Sequence, residues 1–596
     1  MYILGISCFF HDAAAALLRD GQLVAAVEEE RFTRKKHDPE FPSNAISHVL
    51  AAAGIESADL DYVVFFEKPF RKFERILMTA LGTYPRGARV FRSAMTTWLT
   101  DKLWVSALIA ERVGVPRDKI LFSEHHLSHA ASAFFCSPFE EAALMTVDGV
   151  GEWTTATVGR GRGTDLQLTR EVRFPHSIGL LYSTFTAFLG FEVNEGEYKV
   201  MGMAPYGQPR YVDEVRKLVR MAGDGSFRLD LDYFTFHRST ALPYGRRFLE
   251  LFGEPRPVNA PFFTEASGYP SYFGPRPADY GEQARSNQHY ADIAASIQVV
   301  TEELVVNMAR ALQRETGLTQ LCLAGGVALN SVANWRILRE TGFREMYVQP
   351  AAGDAGGAVG AALYVYHSLL GKPRSFIMEH AFWGPSYGEG EVRAFLDEEG
   401  IAYERLDEDT LLGRTAEALA EGAVVGWFHG PAEWGPRALG HRSILADPRR
   451  AEMKEVVNTK IKYREPYRPF APSMLAPAVQ EFFDAPGVER QYPSRFMLLV
   501  VPVKPARRDT ISAVTHVDGT GRLQSVVRDG NERYYDLIDR FRMVTGMPAL
   551  LNTSFNLRGE PIVNTPREAY TTFRGSQLDA LVLENCLVRK AGGRRR

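Results

Sequence analysis

The sequence has 596 residues, which is too long for one hydrophobic core and predicts two domains, with three allowed. Lys and Arg total 69 against 72 Asp and Glu, and this balance indicates neither a nucleic-acid nor a membrane partner. The four cysteines are scattered and form no CxxC pair. The apolar start does not have the pattern of a signal peptide, and no apolar run has transmembrane length. These features favour a cytoplasmic protein.

The first part of the chain alternates short apolar runs with helical patterns, as in an α/β protein. Asp20-Gly21 lies between two of the runs and predicts a hairpin. A serine at position 43 is expected to cap the first helix. Strands are predicted at 2–7, 13–18, 22–28, 61–66, 142–147, 153–159, 320–324 and 346–348. Helices are predicted at 43–54, 125–135, 178–189 and 291–315, from 328, and from 354.

Two halves of this part each open with a strand, a polar turn and a hairpin. We interpret this repeat as an internal duplication, the arrangement of the actin-like ATPase superfamily. In that superfamily paired turns hold phosphates, and glycine lets a phosphate approach the backbone closely. Glycine turns that serve packing alone are the competing interpretation.

A His/Asp group is the first candidate site. His125 and His129 are four residues apart in a predicted helix, so both imidazoles lie on one face. Asp148 and Asp354 each follow a predicted strand at a glycine turn, a usual place for a site in an α/β protein. Two histidines and two carboxylates suit iron, manganese or zinc. The alternative is that the HxxxH pattern is a solvated or core helix face.

Residues 223–287 lose the periodic pattern and fill with Pro, Gly and aromatic residues. The aromatic residues argue against disorder, and we interpret the stretch as a surface elaboration near the cleft, with simple packing as the alternative. A glycine- and proline-containing break near 371–384 then opens a second region. Its predicted elements are a helix at 390–399, a strand near 403, a helix at 411–421 and a strand at 423–428.

A dense basic run follows in the second region. Its cations lie among prolines and glycines, which predicts a non-helical backbone and suits a polyphosphate better than a solvated face does. Asn and Ser in a turn add neutral donors. Scattered surface cations are the alternative. The run comprises 435–443, 460–472, 516–522 and 552–556.

Motifs spread over nearly the whole chain resemble the NodU/CmcH carbamoyltransferase family. They include His11-Asp12, His125-His126-Leu-Ser-His129, Val147-Asp148-Gly, Glu195-Gly-Glu-Tyr-Lys199, Gly325-Gly326-Val-Ala-Leu-Asn330, Gly435-Pro-Arg437-Ala-Leu-Gly, Arg468-Pro-Phe-Ala-Pro, Thr515-His-Val-Asp-Gly and Asn552-Thr-Ser-Phe-Asn556. They occur in the order that the family has.

The resemblance implies a two-domain, ATP-dependent O-carbamoyltransferase. Residues 1–372 would be a duplicated actin-like (ASKHA) domain similar to the catalytic subunit of tRNA threonylcarbamoyltransferases. Residues 380–590 would be a YrdC-like α/β domain, and 591–596 a disordered tail. The second domain would use ATP, with Mg, and carbamoyl phosphate to make carbamoyl-adenylate. The first would pass the carbamoyl group to a hydroxyl of a small molecule such as an antibiotic, a glycoside or a nodulation factor.

The same resemblance assigns roles to individual residues. His11 would be the catalytic base, and Fe(II), or Mn or Zn, would be held by His125, His129, Asp148 and Asp354. The adenosine would be bordered by Gly325, Gly326 and Asn330. Carbamoyl phosphate and ATP would be bound in the second domain by Arg437, Lys462, Arg468, Arg522, Ser554 and Asn556.

Three other functions compete. A tRNA threonylcarbamoyl-type transferase would share the metal and adenylate sites, but this chain lacks a broad basic surface. A small-molecule kinase of actin-like fold would not need the HxxxH pattern or the second cationic domain. A non-enzymatic nucleotide-binding module would have no use for a metal site joined to His11. We expect no nucleic-acid or membrane partner and leave a homodimer open.

Overall fold

A computed structural model of the chain describes residues 1–88, 91, 92, 95, 98, 102–270, 273–465 and 467–590. The chain forms two compact units, and each is discontinuous in sequence. Unit 1 comprises Met1–Glu29, His37–Pro261 and Ser286–Met378. Unit 2 comprises Glu30–Lys36, Phe262–Arg285 and the chain from Glu379 onward. The predicted disordered tail, 591–596, lies outside the described residues.

The first sheet of unit 1 contains five strands in the order β3-β2-β1-β4-β5. Its strands are β1 Tyr2–Ser7, β2 Ala14–Arg19, β3 Gln22–Glu28, β4 Tyr62–Phe65 and β5 Ile120–Phe122. The three N-terminal strands pair antiparallel, and the predicted hairpin joins β2 and β3. Strand β4 pairs in parallel with β1, and β5 pairs in parallel with β4. The central strand β1 is buried along almost its whole length, which explains its continuous apolar run.

The second sheet of unit 1 repeats this topology. Its strands are β6 Glu141–Val147, β7 Thr154–Arg162, β8 Asp165–Arg173, β11 Gln320–Ala324 and β12 Glu345–Val348, while β9 Val219–Met221 and β10 Phe227–Leu229 form a separate hairpin. The order is β8-β7-β6-β11-β12, again with two antiparallel pairs followed by two parallel ones. The repeat confirms the predicted α/β class and the predicted internal duplication of the N-terminal part.

The described residues of unit 1 also form helices. They are Ser43–Ala53, Pro69–Gly82, Val105–Ile109, His125–Phe134, Ile178–Phe188, Glu197–Met203, Val212–Arg216, Arg246–Phe252, Tyr280–Thr316 (whose first turns belong to unit 2), Ser331–Glu340 and Asp354–Tyr364. Membrane spanning requires a long apolar helix, and the described part of the chain contains none that qualifies.

Helix Asp354–Tyr364 is buried against β1 and against helix His125–Phe134. A Cβ atom added at Gly360 would lie 1.8 Å from the carbonyl oxygen of Ser128. Because no side chain fits in that space, glycine is required for the two helices to approach this closely. The contact brings together the two helices that carry three of the four predicted metal ligands.

Unit 2 is built on a nine-stranded mixed sheet in the order β13-β21-β20-β14-β15-β19-β16-β18-β17. Its strands are β13 Glu404–Arg405, β14 Val425–Phe428, β15 Arg442–Ala446, β16 Ala471–Leu475, β17 Leu499–Pro502, β18 Thr520–Val526, β19 Ala549–Ser554, β20 Ala580–Leu583 and β21 Cys586–Arg589. Its helices are Glu30–Thr33, Glu389–Glu398, Glu408–Glu421, Met453–Glu455, Val479–Phe482, Tyr492–Arg495, Glu532–Thr545 and Pro566–Gly575.

Several local predictions were wrong. Ser43 does not cap its helix, because Pro42 occupies the cap position and no side-chain hydrogen bond is made there. The helix predicted at 291–315 begins at Tyr280, since its first turns are polar and carry no apolar period. The helix predicted from 328 begins at Ser331, after a 3-10 turn. Lys460 lies in a π-helical turn, Val456–Ile461, rather than on the predicted non-helical backbone.

Candidate functional site

The four predicted metal ligands converge in unit 1. Helix His125–Phe134 presents the two histidines one turn apart, and their Nε2 atoms are 3.1 Å from each other. His125 Nε2 lies 3.0 Å from Asp148 Oδ2 and 3.6 Å from Asp354 Oδ1. His129 Nε2 lies 3.7 Å from each of the same two oxygens. All four side chains are buried, and one ligand atom from each lies within 4.8 Å of the others.

Without a cation, this group relies on protons on the histidines to balance its charge. Burial alone lowers the pKa of His125, but Asp354 and Asp148 outweigh it and raise that pKa well above 6.5. The same two carboxylates raise the pKa of His129 against burial. The pKa of Asp148 is well below 3.8, because its hydrogen bonds to the histidines outweigh burial. The residues of this group therefore shift one another's pKa values, as is common in functional sites.

The donor set fits a metal ion. Both carboxylate oxygens of Asp354 are buried and lack a hydrogen-bond partner, which is costly for a charged group. Asp148 keeps Oδ2 toward the histidines while its Oδ1 accepts from the backbone N–H of Gly326 at 2.9 Å. Two imidazole nitrogens and two carboxylates suit iron, manganese or zinc, and the arrangement does not select one of them.

Two further carboxylates, Glu152 and Glu67, support His125 and were not predicted from the sequence. Glu152 accepts from the backbone N–H of His125 at 3.0 Å and thereby satisfies a donor at the helix start that has no partner within the helix. Glu67 Oε2 lies 3.6 Å from His125 Nδ1 and is held by Lys72 at 2.8 Å. Glu152 follows Asp148 by four residues in the glycine turn, which was the one available signal.

His11, the predicted base, lies at the edge of the His/Asp group. Its Nδ1 is 2.9 Å from Asp12 Oδ2, and its Nε2 is 4.0 Å from Asp354 Oδ2. Burial lowers its pKa, but Asp354 and Asp12 outweigh this and raise the pKa to about 9. With 21% of its side chain exposed, it is accessible from solvent, unlike the four buried residues. Asp12 also binds His37, with 2.6 Å between its Oδ1 and His37 Nδ1.

The predicted adenosine residues form the turn after β11. Gly325 has φ +96°, and a Cβ atom there would lie 2.3 Å from the carbonyl oxygen of Val147, so only glycine fits. Gly326 contacts Asp148, which joins this turn to the His/Asp group. Asn330 caps helix Ser331–Glu340 and exchanges two amide hydrogen bonds with Gln298. Helix capping is thus an observed role for Asn330.

In unit 2, three of the predicted residues form one hydrogen-bonded group. Lys462 Nζ donates to the carbonyl oxygen of Ser554 at 2.6 Å and to that of Asn556 at 3.0 Å. It also contacts Ser554 Oγ at 3.2 Å and Asn556 Oδ1 at 2.5 Å. The ammonium group is buried, and its pKa is well below 10.5 because of burial and then of Arg464 and Arg468.

The predicted arginines of unit 2 belong to the same charged region. Burial lowers the pKa of Arg522 well below 12.5, and Arg437, Arg464 and Arg468 lower it further. Glu465 lies 3.7 Å from Arg468 and compensates part of this charge. We name Arg437, Lys462, Arg464, Arg468 and Arg522 the cation cluster. Arg464 was not predicted, although it stands in the same basic run. Such a cluster favours binding of a polyanion.

Comparison with known families agrees with the resemblance drawn from the motifs. Residues 2–363 match the family described as carbamoyltransferase N-terminus. Residues 416–590 match the family described as carbamoyltransferase C-terminus. Together the two matches cover most of the chain.

Relatives match along nearly the full length. Nodulation protein NolNO of Sinorhizobium fredii is 39% identical over 98% of this chain and 79% of its own length. Nodulation protein NolO of Bradyrhizobium diazoefficiens is 40% identical over 78% of each chain. Uncharacterized protein sll1178 of Synechocystis is 45% identical over 99% of this chain and 97% of its own.

Proposed function

The chain belongs to the carbamoyltransferase family, and we propose that it is an ATP-dependent O-carbamoyltransferase acting in two steps. In the first step, residues 380–590 use ATP, with Mg, and carbamoyl phosphate to form carbamoyl-adenylate. In the second, residues 1–372 transfer the carbamoyl group to a hydroxyl of a small molecule and AMP leaves. A carbamoyl group on a phosphate is only moderately electrophilic, so adenylation supplies a better leaving group.

The observation that carries the proposal is the convergence of His125, His129, Asp148 and Asp354. The two buried carboxylate oxygens of Asp354 make no hydrogen bond, and a metal ion would satisfy them. When bound, Fe(II), Mn or Zn would stabilise negative charge on the phosphate of the departing AMP. A kinase of the same fold would not need this group.

His11 is the base in this proposal. An alcohol is a poor nucleophile and requires a group that accepts its proton at near-neutral pH. Asp12 binds Nδ1 of His11 at 2.9 Å, which leaves Nε2 as the atom that takes the proton. Its pKa of about 9 belongs to the metal-free group, and a cation beside Asp354 would lower it by charge repulsion.

The cation cluster is the proposed site for carbamoyl phosphate and the ATP phosphates. Arg437, Arg468 and Arg522 would donate to phosphate oxygens, and the charge of Lys462 would add to theirs. Ser554 and Asn556 hold Lys462 and contribute neutral polar groups beside it. The turn at Gly325 and Gly326, with Asn330 beyond it, would border the adenosine in the first unit.

The acceptor belongs to a broad class in this proposal. Two of the relatives are named nodulation proteins, which favours a hydroxylated metabolite such as a nodulation factor, an antibiotic or a glycoside. The reactants are ATP, carbamoyl phosphate and this acceptor, and the enzyme works in the cytoplasm. A homodimer is compatible with the proposal, and neither nucleic acid nor a membrane takes part.

Product analysis tests the proposal. The purified protein is incubated with ATP, Mg and labelled carbamoyl phosphate, with and without a panel of hydroxylated metabolites. We expect formation of AMP that depends on carbamoyl phosphate, and a labelled carbamate ester when the acceptor is present. ADP formed together with a phosphorylated acceptor would instead identify a kinase. Label appearing in added tRNA would identify a tRNA-modifying enzyme.

A further inference from the structure

Glu433 is a buried carboxylate at the base of the loop that carries Arg437. Only 3% of the residue is exposed. Its Oε1 accepts three backbone N–H groups of the loop, from Leu439 at 2.8 Å, His441 at 2.9 Å and Arg442 at 3.1 Å. Three N–H donors that converge on one oxygen anchor the loop backbone to this side chain. The chain from 434 to 442 therefore folds around this single side chain.

Other side chains fix the carbonyl groups of the same loop. Gln524 Nε2 and Asn531 Nδ2 donate to the carbonyl oxygen of Leu439, at 2.7 and 3.2 Å. Asn552 Nδ2 donates to that of Ala438 at 3.2 Å. Arg31 donates to that of Gly435 at 2.7 Å. Both donors and acceptors of the loop backbone are thus held within unit 2, so the loop is rigid before any ligand arrives.

This arrangement leaves the side chain of Arg437 as the part of the loop that takes part in the cation cluster. After burial, charge repulsion from Arg437 lowers the pKa of Arg522, so the two guanidinium groups belong to one electrostatic region. The like charges of the cation cluster repel one another until an anion binds. Hydrogen bonds that already fix the loop backbone reduce the rearrangement of the loop that anion binding would otherwise require. Glu433 is a charged anchor that binds the loop by three hydrogen bonds.

We propose that Glu433 is a positioning residue for the phosphoryl-binding site of unit 2. By fixing the backbone from Leu439 to Arg442, its carboxylate sets the position from which Arg437 contacts a phosphoryl group. Glu433 itself does not touch the ligand. This inference rests on the proposed binding of carbamoyl phosphate and ATP by the cation cluster.

The test compares Glu433→Gln and Glu433→Ala with the wild type. Calorimetry measures the Kd for carbamoyl phosphate, and hydrogen–deuterium exchange measures protection of the backbone at 434–442. We expect the alanine variant to raise Kd about a hundredfold and the glutamine variant about tenfold, because loss of one charge-assisted contact to a phosphoryl group weakens binding by about ten- to a hundredfold. Exchange at 434–442 should increase in the same order, while transfer from added carbamoyl-adenylate stays at the wild-type rate.

Arg437→Ala is the reference variant that separates the two claims. If Arg437→Ala also leaves Kd unchanged, the cation cluster is not the substrate site and the proposed function of unit 2 fails. If Arg437→Ala loses binding while both Glu433 variants bind and exchange as the wild type does, only the positioning role fails. Should the Glu433 variants not fold, Asn531→Ala releases the same loop more gently. An unchanged Kd and unchanged exchange in that variant would overturn the inference.

Discussion

His125 and His129 hold their Nε2 atoms 3.1 Å apart inside a buried group. At that distance the two nitrogens need a proton or a cation between them, because two lone pairs or two N–H groups facing each other would repel. Asp148 and Asp354 supply negative charge on the same side. Metal affinity should therefore rise with pH, as the protons that compete for the ligands are lost.

His129→Ala should lower metal content and abolish carbamoyl transfer. Removing one of four ligands leaves an incomplete coordination set with two carboxylates still buried. Carbamoyl-adenylate formation in the second domain should continue. Elemental analysis and separate assays of the two half-reactions measure this. His48→Ala, on helix Ser43–Ala53, is the matched control and should keep both metal and activity. Full metal content in His129→Ala would contradict the assignment.

His11→Asn should bind metal and form carbamoyl-adenylate but transfer it slowly. Asparagine retains a hydrogen bond to Asp12 but cannot accept the proton of the acceptor hydroxyl. Loss of a general base slows a reaction by about two to four orders of magnitude. Single-turnover transfer from added carbamoyl-adenylate measures the rate, and the fall in wild-type rate at low pH should be absent from the mutant. Near-normal transfer with an unchanged pH profile would rule out the role.

His11 should also make the metal-free protein sensitive to alkaline pH. Its folded pKa of about 9 exceeds the ordinary value of 6.5, so its contribution to stability is complete below pH 6.5. That contribution, on the order of 1–3 kcal/mol, is lost as pH rises through about 9. Thermal unfolding of the metal-free wild type and His11→Asn at pH 6 and pH 10 measures it. The two proteins should differ at pH 6 and converge at pH 10.

Arg468→Ala should lose ATP consumption that depends on carbamoyl phosphate. A charge-assisted hydrogen bond to phosphate contributes about 1.5–3 kcal/mol, which corresponds to roughly a ten- to hundredfold loss of affinity. Transfer from added carbamoyl-adenylate should be unaffected. Arg490→Ala removes a guanidinium whose side chain is 83% exposed and is the matched control. If supplied intermediate does not restore transfer in Arg468→Ala, the proposed division of labour between the domains is wrong.

Binding of carbamoyl phosphate should be accompanied by proton uptake. Burial, then Arg464 and Arg468, hold the pKa of Lys462 well below 10.5 in the free protein. A bound phosphate reverses the sign of that environment and raises this pKa, so binding is linked to proton uptake at pH values between the free and the bound pKa of Lys462. Calorimetry over a range of pH, in buffers of different ionisation enthalpy, counts the protons. Lys462→Met should abolish the uptake, and equal heats in all buffers for the wild type would contradict the expectation.

The fold of unit 1 was largely predictable because its signals are local. The apolar runs, the Asp20-Gly21 turn and the second hairpin each lie within a few residues, and together they indicate the duplicated sheets. The start of helix Tyr280–Thr316 was missed because a polar first turn carries no apolar period. The edge strand Ile120–Phe122 is too short to stand out from its surroundings.

The candidate site was predictable only in part. The i and i+4 spacing of His125 and His129 follows from helix geometry alone, and their meeting with the aspartates is what the structure adds. The support that Lys72 and Glu67 provide depends on tertiary packing and leaves no trace in local sequence. The same holds for Lys462 and Ser554, which are 92 residues apart in the chain.

Gly360 is not one of the predicted metal ligands, yet it sets the distance between the helix that begins with Asp354 and the helix that contains His125 and His129. The missing methyl group lets helix Asp354–Tyr364 touch the backbone of Ser128, one residue before His129. A single methyl added there would push Asp354 away from the histidines. A mutational library restricted to residues that line the site would omit position 360. This position should nevertheless tolerate fewer substitutions than most of the lining residues. Engineering of the acceptor preference is best begun with this residue held fixed.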